Sequence, residues 1–419
     1  MNAHTPDLSA TAEEGIPKTI DGEPLAGKHV LIVVENLPLP FDRRVWQEAR
    51  TLKAAGAMIS IICPVGKGYE KRHEVIEGID IYRHTLPVEA AGAMGFLLEY
   101  GAALFWETWL AWKIYFKRRF DVIQGCNPPD LIFLVAAPFK LLGVKYIFDH
   151  HDINPELYEA KFNHRGFFWR LMVMFERLTF AFADVSIATN ESYRKIAIDR
   201  GAMAPDKVHV VRSGPDLSRL KLVPPVESWK NGRAHMVGYV GVMGEQEGID
   251  LLIEAVDLIV REKKRSDIQF VLVGGGPSLD GLKALTAEKN LSEFITFTGR
   301  APDQELFEVL STMDIGVNPD RVNAMNDKST MNKIMEYMSL EKAMVQFDVV
   351  EGRFSAREAS LYAKPNDARD MAEKILELID DPDRRAAMGA YGRKRVVEEL
   401  NWRHQIKPLL DAYRQALKL

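Results

Sequence analysis

Short apolar runs alternating with helix-forming stretches, in a pattern that completes itself twice, limit the fold of this chain more than any other feature. In KHVLIVV, residues 28 to 34, every position from Val30 on is apolar and the run is too short for a helix, as expected of a strand covered on both faces. The helical VWQEARTLKAAGA follows, then ISIICPV, the exposed-looking IDIYRHTL, a long helix, and DVIQGC, YIFDH and VSIAT, with helical or turn-rich sequence between them. Strand, helix, strand in that order predicts a parallel sheet with helices on both faces. The pattern breaks at VRSGPDLSRLKLVPPVESWKNG, whose Pro, Gly, Ser and charge mark a linker. It restarts with HMVGYVG, the helix IDLLIEAVDLIVREKK, IQFVLVGGG, FITFTG, MDIGVNP and AMVQF.

A chain of 419 residues exceeds what one core usually serves. The expected division is a mobile leader over 1–27, an α/β domain over 28–215, a second over 216–400, and a last helix over 401–419 long enough to cross back to the first domain. Ligands in such sheets lie beyond the carboxyl ends of the strands, so both domains are expected to turn their loops toward a shared cleft.

Composition narrows the partners. Net charge is −5, with roughly +4 over residues 28 to 221 and roughly −5 beyond, so no nucleic-acid partner is expected, while the basic half suits an anionic surface. Cys63 and Cys126 have no second Cys or His at ligand spacing, which argues against a disulfide framework or zinc and for a reducing cytoplasm. The leader lacks the basic start and apolar middle of a secretory signal. No uncharged run reaches transmembrane length, but residues 90 to 120 and 164 to 180 are aromatic, apolar and flanked by Arg and Lys. Such helices suit a bilayer interface; the alternative is that both are buried helices of the α/β domain. Asp381-Pro-Asp383 falls between two helices and reads as a cap rather than a metal site.

The segment most suggestive of chemistry runs from Asn326 to Asp348, NDKSTMNKIMEYMSLEKAMVQFD. Met331, Ile334, Met335 and Met338 recur at helical spacing and set the buried stripe, which leaves Lys333 and Glu336 for another surface. Ser329 or Thr330 can cap the helix, whose N-terminus, with Lys333, suits a diphosphate. Glu336 can accept two hydrogen bonds from a ribose. The plainer reading is an amphipathic helix with an exposed Lys and Glu. The glycine-rich loops holding Gly241, Gly244 and Gly248, and Gly274 to Gly276, allow close approach of backbone to phosphate, or are simply tight turns. In the first domain His151, Asp152 and Glu156 follow a strand, where a histidine can bind a hydroxyl or shuttle a proton. Arg43 and Arg44 follow the first strand and are candidates for an anionic acceptor.

Taken in order, FDRRVWQEARTLKAAG, DVIQGCNPPD, DHHDINPELYE, VVRSGPDLSRL, GYVGVMGEQEGIDLLIEA, VLVGGGP, FTGRAPDQELFEVLSTMDIGVNP, NKIMEYMSLEKAMVQFD and NWRHQ resemble the retaining GT-B glycosyltransferases of family 4. The resemblance implies two Rossmann-like domains facing a cleft, the second binding a nucleotide-sugar, the first the acceptor, with a C-terminal helix returning to the first. It also implies transfer with retention, no metal and no cofactor beyond the co-substrate, a UDP- or GDP-sugar. Glu336 matches the second acid of the family's Glu-x7-Glu pattern, and His151 matches its first-domain histidine. Three departures stand out: Lys328, beside Asp327, replaces the first acid; Val242 and Glu247 replace the diphosphate-gripping Arg and Lys; and LPLPFDRR replaces the Gly-Gly loop.

The resulting expectation is a glycosyltransferase acting on a saccharide or polyprenyl-linked acceptor in surface polysaccharide or glycoconjugate assembly. It would work in the cytoplasm, with an anionic membrane surface at the inner face as a further partner. His151 and Lys333 are the expected catalytic groups. Gly241, Gly244, Gly274, Lys328, Ser329, Lys333 and Glu336 are expected to bind the donor, and Arg43, Arg44 and Asp152 the acceptor. A non-catalytic nucleotide-sugar-binding scaffold is the alternative raised by the departures; an epimerase is a weaker one, since no acid–base set is arranged for proton abstraction.

Overall fold

The computed structural model describes residues 15–85, 93–220 and 222–419, with side chains from residue 101 onward in the helix that begins at Ala93. Two compact units emerge, one made of Ile16–Ser213 with Trp402–Leu419, the other built on Gly214–Asn401.

In the first unit the strands are β1 (His29–Val34), β2 (Met58–Pro64), β3 (His73–Ile76), β4 (Ile79–His84), β5 (Val122–Cys126), β6 (Lys145–His150), β7 (Val185–Ala188) and β8 (Val208–Val210). Its helices are α1 (Arg43–Ala54), α2 (Ala93–Lys117), α3 (Phe133–Lys140), α4 (Asn154–Phe162), α5 (Phe167–Phe182) and α6 (Glu191–Asp199). The sheet order is β3-β4-β2-β1-β5-β6-β7-β8. Every pairing is parallel except β3 with β4. All six residues of β1 are buried, as its unbroken apolar run predicts. IDIYRHTL looked exposed in sequence, yet β4 is largely buried, because the antiparallel β3 covers it as the edge strand.

The second unit has β9 (His235–Val240), β10 (Ile268–Val273), β11 (Ile295–Gly299), β12 (Ile315–Asn318), β13 (Ala343–Phe347) and β14 (Ser360–Ala363). Its helices are α7 (Ile249–Arg261), α8 (Leu279–Glu288), α9 (Asp303–Thr312), α10 (Asn332–Ser339), α11 (Val350–Ala356), α12 (Ala368–Ile379) and α13 (Pro382–Arg395). The sheet runs β11-β10-β9-β12-β13-β14, wholly parallel. Asp381 caps α13 by accepting from Arg384 N at 2.9 Å, the role its sequence position predicts. In each sheet one strand is flanked by neighbours reached in opposite directions: β1 between β2 and β5, β9 between β10 and β12. Crevices at such switch points are where open α/β sheets receive ligands.

The last helix, α14 (Arg403–Leu417), belongs to the first unit and packs with α1 over β6, β7 and β8. Leu409, Tyr413 and Trp402 join Ile32 and Ile61 in one core, and the Trp402 Nε1–H donates to Thr51 Oγ1 at 2.8 Å. The segment expected to be a mobile leader is docked here from Ile16 on. Leu25 is fully buried, with its N–H donating to Ala55 O at 2.8 Å, and Ile20 N donates to Ala54 O at 2.7 Å. Residues 1–14 lie outside the described residues. Because Trp402 anchors α14, Trp402→Ala should cost about 3–5 kcal/mol. Urea unfolding should show the loss in the first unit's transition, and an unchanged midpoint would show that α14 is held by other contacts.

Candidate functional site

At the second sheet's switch point the chain builds a polar wall beyond β9 and β12. Lys333, in the first turn of α10, donates to Asp320 at 2.7 and 3.0 Å and to Asn318 Oδ1 at 3.1 Å, and its ammonium lies 5.0 Å from the centre of the Tyr239 ring. Asn318 is the last residue of β12, so strand end and helix start meet on one cation. Burial pushes the Asp320 carboxyl up, against the pull of Lys333. The glycine loops pack on each other. Gly274 has φ +140°, and a Cβ there would clash with the Gly241 carbonyl oxygen, so Gly274 is required for loop-to-loop contact whatever else it does. Gly241 lies against Lys333, whose Cε would be 3.3 Å from a Cβ at that position. Glu247, which stands where the resemblance expects a cation, accepts from Gly244 N at 3.0 Å; burial and the Asp320 charge push it up.

Ser329 does not occupy the N-cap position of α10. Its hydroxyl donates to Met325 O at 2.9 Å, and the N-cap position is Met331, with no side-chain cap. The stripe predicted from Met331, Ile334, Met335 and Met338 turns inward at the last three, joined by Tyr337, whose hydroxyl accepts from Val240 N at 3.0 Å and donates to Val317 O at 3.2 Å. Glu336 is half-buried on the other side, and Lys328 ends a short 3-10 turn. Asp327 accepts from Val350 N at 2.9 Å, which ties that turn to α11.

The first sheet ends in a buried charge network. Arg44, expected at an acceptor surface, is turned inward instead. Its guanidinium donates to Asp149 Oδ1 at 3.1 Å and to Val211 O at 2.8 Å, and meets Glu48 at 3.0 Å. With these acceptors engaged and only 9% of its side chain exposed, it is an internal tie between α1, β6 and the segment after β8. Arg43, its neighbour, is exposed. His151 Nε2 lies 2.7 Å from Asp149 Oδ2 and 3.0 Å from Arg44 Nε. Gln124 Nε2 donates to Glu48 Oε2 at 2.7 Å and to Asp149 Oδ2 at 2.8 Å, and the Tyr413 hydroxyl donates to Gln124 Oε1. Asn127 Oδ1 accepts from His151 N at 2.6 Å and from Asp152 N at 3.1 Å, which fixes the loop holding both. Glu156 pairs with Arg200 at 2.8 and 3.0 Å, away from His151's partners.

Protonation follows from these contacts. Burial alone would raise Asp149, but the cationic His151 and Arg44 hold it well below the usual carboxylate range. Burial would lower His151; the Asp149 carboxylate outweighs it and raises the imidazole. Glu48 is pushed up to about 8 by burial and by the Asp149 charge. Cys126, Asp149 and His151 offer ligand atoms within 4.8 Å of one another, the one such group among the described residues. A guanidinium already in contact with two of them, and a Cys126 thiol pushed far up by burial, make this a proton-holding rather than a cation-holding cluster. Asp149, Glu48, Gln124 and Asn127 escaped the sequence reading; the only local signal was the acid two residues before His151.

Comparison with known proteins completes the identification. The solved sucrose-phosphate synthase of Thermosynechococcus elongatus superposes with a TM-score of 0.77 at 18% identity, covering 93% of this chain and 98% of that one. HepE of Anabaena, solved with UDP-glucose, superposes at 0.69 and 14%, covering 92% and 99%. Two α/β units with parallel sheets and a C-terminal helix are thus a GT-B fold. The family model described as Glycosyltransferase Family 4 matches residues 42–219 and that of Glycosyl transferases group 1 matches residues 234–381, and the chain belongs to these glycosyltransferases. Among curated relatives, the α-maltose-1-phosphate synthase of Mycolicibacterium smegmatis is 27% identical over 302 residues, 66% of this chain and 74% of the relative.

The charge network carries a pH signature. His151 and Glu48 both bind protons more tightly folded than unfolded, so their stabilisation is full below their unfolded values and is lost as pH rises through the folded ones. Stability should therefore fall between pH 6.5 and about 8. Asp149→Asn should cost about 3–5 kcal/mol by removing the carboxylate that Arg44 and His151 share, and should flatten the His151 part of this slope. Urea midpoints across that range, in wild type and variant, give the comparison; parallel slopes would exclude the His151–Asp149 coupling.

Proposed function

We propose that this glycosyltransferase moves a sugar, with retention at the anomeric carbon and without a metal ion, from a UDP- or GDP-sugar to a saccharide or polyprenyl-linked saccharide in surface polysaccharide or glycoconjugate assembly. The observation that carries the reading is Lys333, fixed by Asp320 and Asn318 at the second sheet's switch point, beside the Gly241 loop. A lysine held there by side chains on a strand end and the loop after it is preorganised for charge that develops on a departing diphosphate. The bond from the anomeric carbon to the diphosphate breaks as the acceptor oxygen bonds to the same face of that carbon, and the acceptor proton leaves with the diphosphate.

Glu336, with Lys328, Ser329, Gly244 and Gly274 near the donor, is assigned to the ribose. UDP-glucose bound to HepE supports a uridine donor. His151, whose Nε2 is taken by Asp149, offers Nδ1 to a hydroxyl of the transferred sugar, and Asp152 and Arg43 are assigned to the acceptor. The expected location is the inner face of the cytoplasmic membrane; no helix among the described residues is long and apolar enough to cross a bilayer. Glu247 at the donor loop, a carboxylate where the family has a lysine, favours one rival, a scaffold that binds a nucleotide-sugar without turning it over.

UDP-, GDP- and dTDP-sugars, compared at equal concentration for thermal stabilisation and then for transfer or hydrolysis, separate the two. One preferred donor with turnover supports the transferase; stabilisation with no turnover for any acceptor supports the scaffold. With the preferred donor, Lys333→Ala should lower kcat by roughly a hundredfold with a smaller change in KM, while Glu336→Ala should weaken donor binding about tenfold or more. Equal losses in kcat and affinity for Lys333→Ala would confine it to ground-state binding. Unchanged affinity in Glu336→Ala would remove the ribose assignment.

A further inference from the structure

The first unit presents an outer surface that its own core does not use. Half of the large apolar side chains exposed among the described residues lie on α2, α5, α3 or the turn just after α3. Helix α5 carries two stripes. Val173, Glu176, Thr179 and Phe180 face inward, while Phe167, Arg170, Met174, Arg177 and Leu178 recur at the spacing of the opposite face and are exposed. Helix α2 repeats the arrangement, with Leu110 and Ile114 buried and Phe105, Trp109 and Phe116 outward, Phe116 at 81% exposure. Leu141, just past α3, is 90% exposed, and α3 packs with both α2 and α5, so the three belong to one side of the sheet. A surface of this kind costs solubility unless something covers it.

The α5 stripe also forms a groove of about 530 Å³ lined by Trp169, Val173, Met174 and Leu178 and by Arg170 and Arg177. Arg177 donates its Nε to Arg200 O at 3.1 Å. Trp169 carries Arg165 over its ring at 5.2 Å, and its Nε1–H is buried without an acceptor. Two guanidinium groups, two turns apart on one helix face, beside aliphatic walls match one chemistry: a phosphate joined to hydrocarbon.

We propose that α2, α3 and α5 form a membrane-docking face and that the α5 groove seats the headgroup phosphate and upper acyl chain of an anionic phospholipid, with Arg170 and Arg177 on the phosphate and Val173, Met174 and Leu178 on the chain. This deepens the membrane location proposed above and rests on it. The occupant is a lipid rather than a protein because cations are interleaved with the aromatic groups along both helices: Lys113 lies 5.3 Å from the Trp109 ring centre and Arg119 5.9 Å from that of Tyr115. Interfacial helices pair apolar depth with cations at headgroup level.

The test is cosedimentation of the full chain with phosphatidylcholine vesicles, with and without phosphatidylglycerol, at low and high salt. Wild type should bind the phosphatidylglycerol vesicles and release with salt. The double variant R170E/R177E, on exposed positions, should bind at least about tenfold more weakly while keeping its circular dichroism and its thermal stabilisation by the preferred nucleotide-sugar. That last readout keeps the test separate from the transferase reading, since donor stabilisation can fail while vesicle binding holds, and the reverse. Binding that ignores phosphatidylglycerol, or that R170E/R177E leaves intact, overturns the groove assignment. A concentration-dependent dimer that Trp109→Ser dissociates, with no vesicle binding, overturns the membrane face and makes it a self-association surface.

Discussion

A guanidinium removed from water must be met by acceptors on every side, and Arg44 arranges the end of the first sheet on that condition. It lies in the first turn of α1, yet its partners come from β6, from α1 one turn on and from the segment after β8. The strand ends and loops that define this end are thereby held by one side chain. His151 inherits its environment from the same arrangement: the carboxylate that neutralises Arg44 also raises the imidazole. Asn127 then fixes the loop backbone from below. Asp149 thus serves two cations at once, and it raises the imidazole of the candidate catalytic histidine against the opposing charge of Arg44.

The second unit also holds a largely buried cation among fixed partners. Lys333 is almost as buried as Arg44, and it is held by a buried acid beside glycine loops that pack on one another. Its partners are Asn318 at the strand end, Asp320 just beyond it and the Tyr239 ring. Glu247 adds a second carboxylate close by, which sets this donor loop apart from the family pattern it resembles.

Much of the fold could be read along the chain, because strands buried on both faces of a parallel sheet are apolar throughout and helices betray themselves by period. The misreadings share a cause. Strand β3 is four residues long and alternates exposed with half-buried positions, so nothing local marks it, and without it β4 looked exposed. Strands β8 and β14, of three and four residues, are too short to show a period. Arg44 read as a candidate for an anionic acceptor because Asp149, the carboxylate it meets, is 105 residues away. Ser329 had the chemistry of a cap but not the position.

The amino-acid order by itself settled the class of architecture, the two-part division, the helix that carries Lys333 and Glu336 and the loop that carries His151, since each depends on residues within a few positions of one another. Only the tertiary structure decided which charged groups are buried, which carboxylate each cation meets, and which aromatic helix faces turn outward. Those outcomes depend on desolvation and on partners brought together from distant strands, and a hydrogen bond between residues a hundred positions apart leaves no periodicity for a sequence to display.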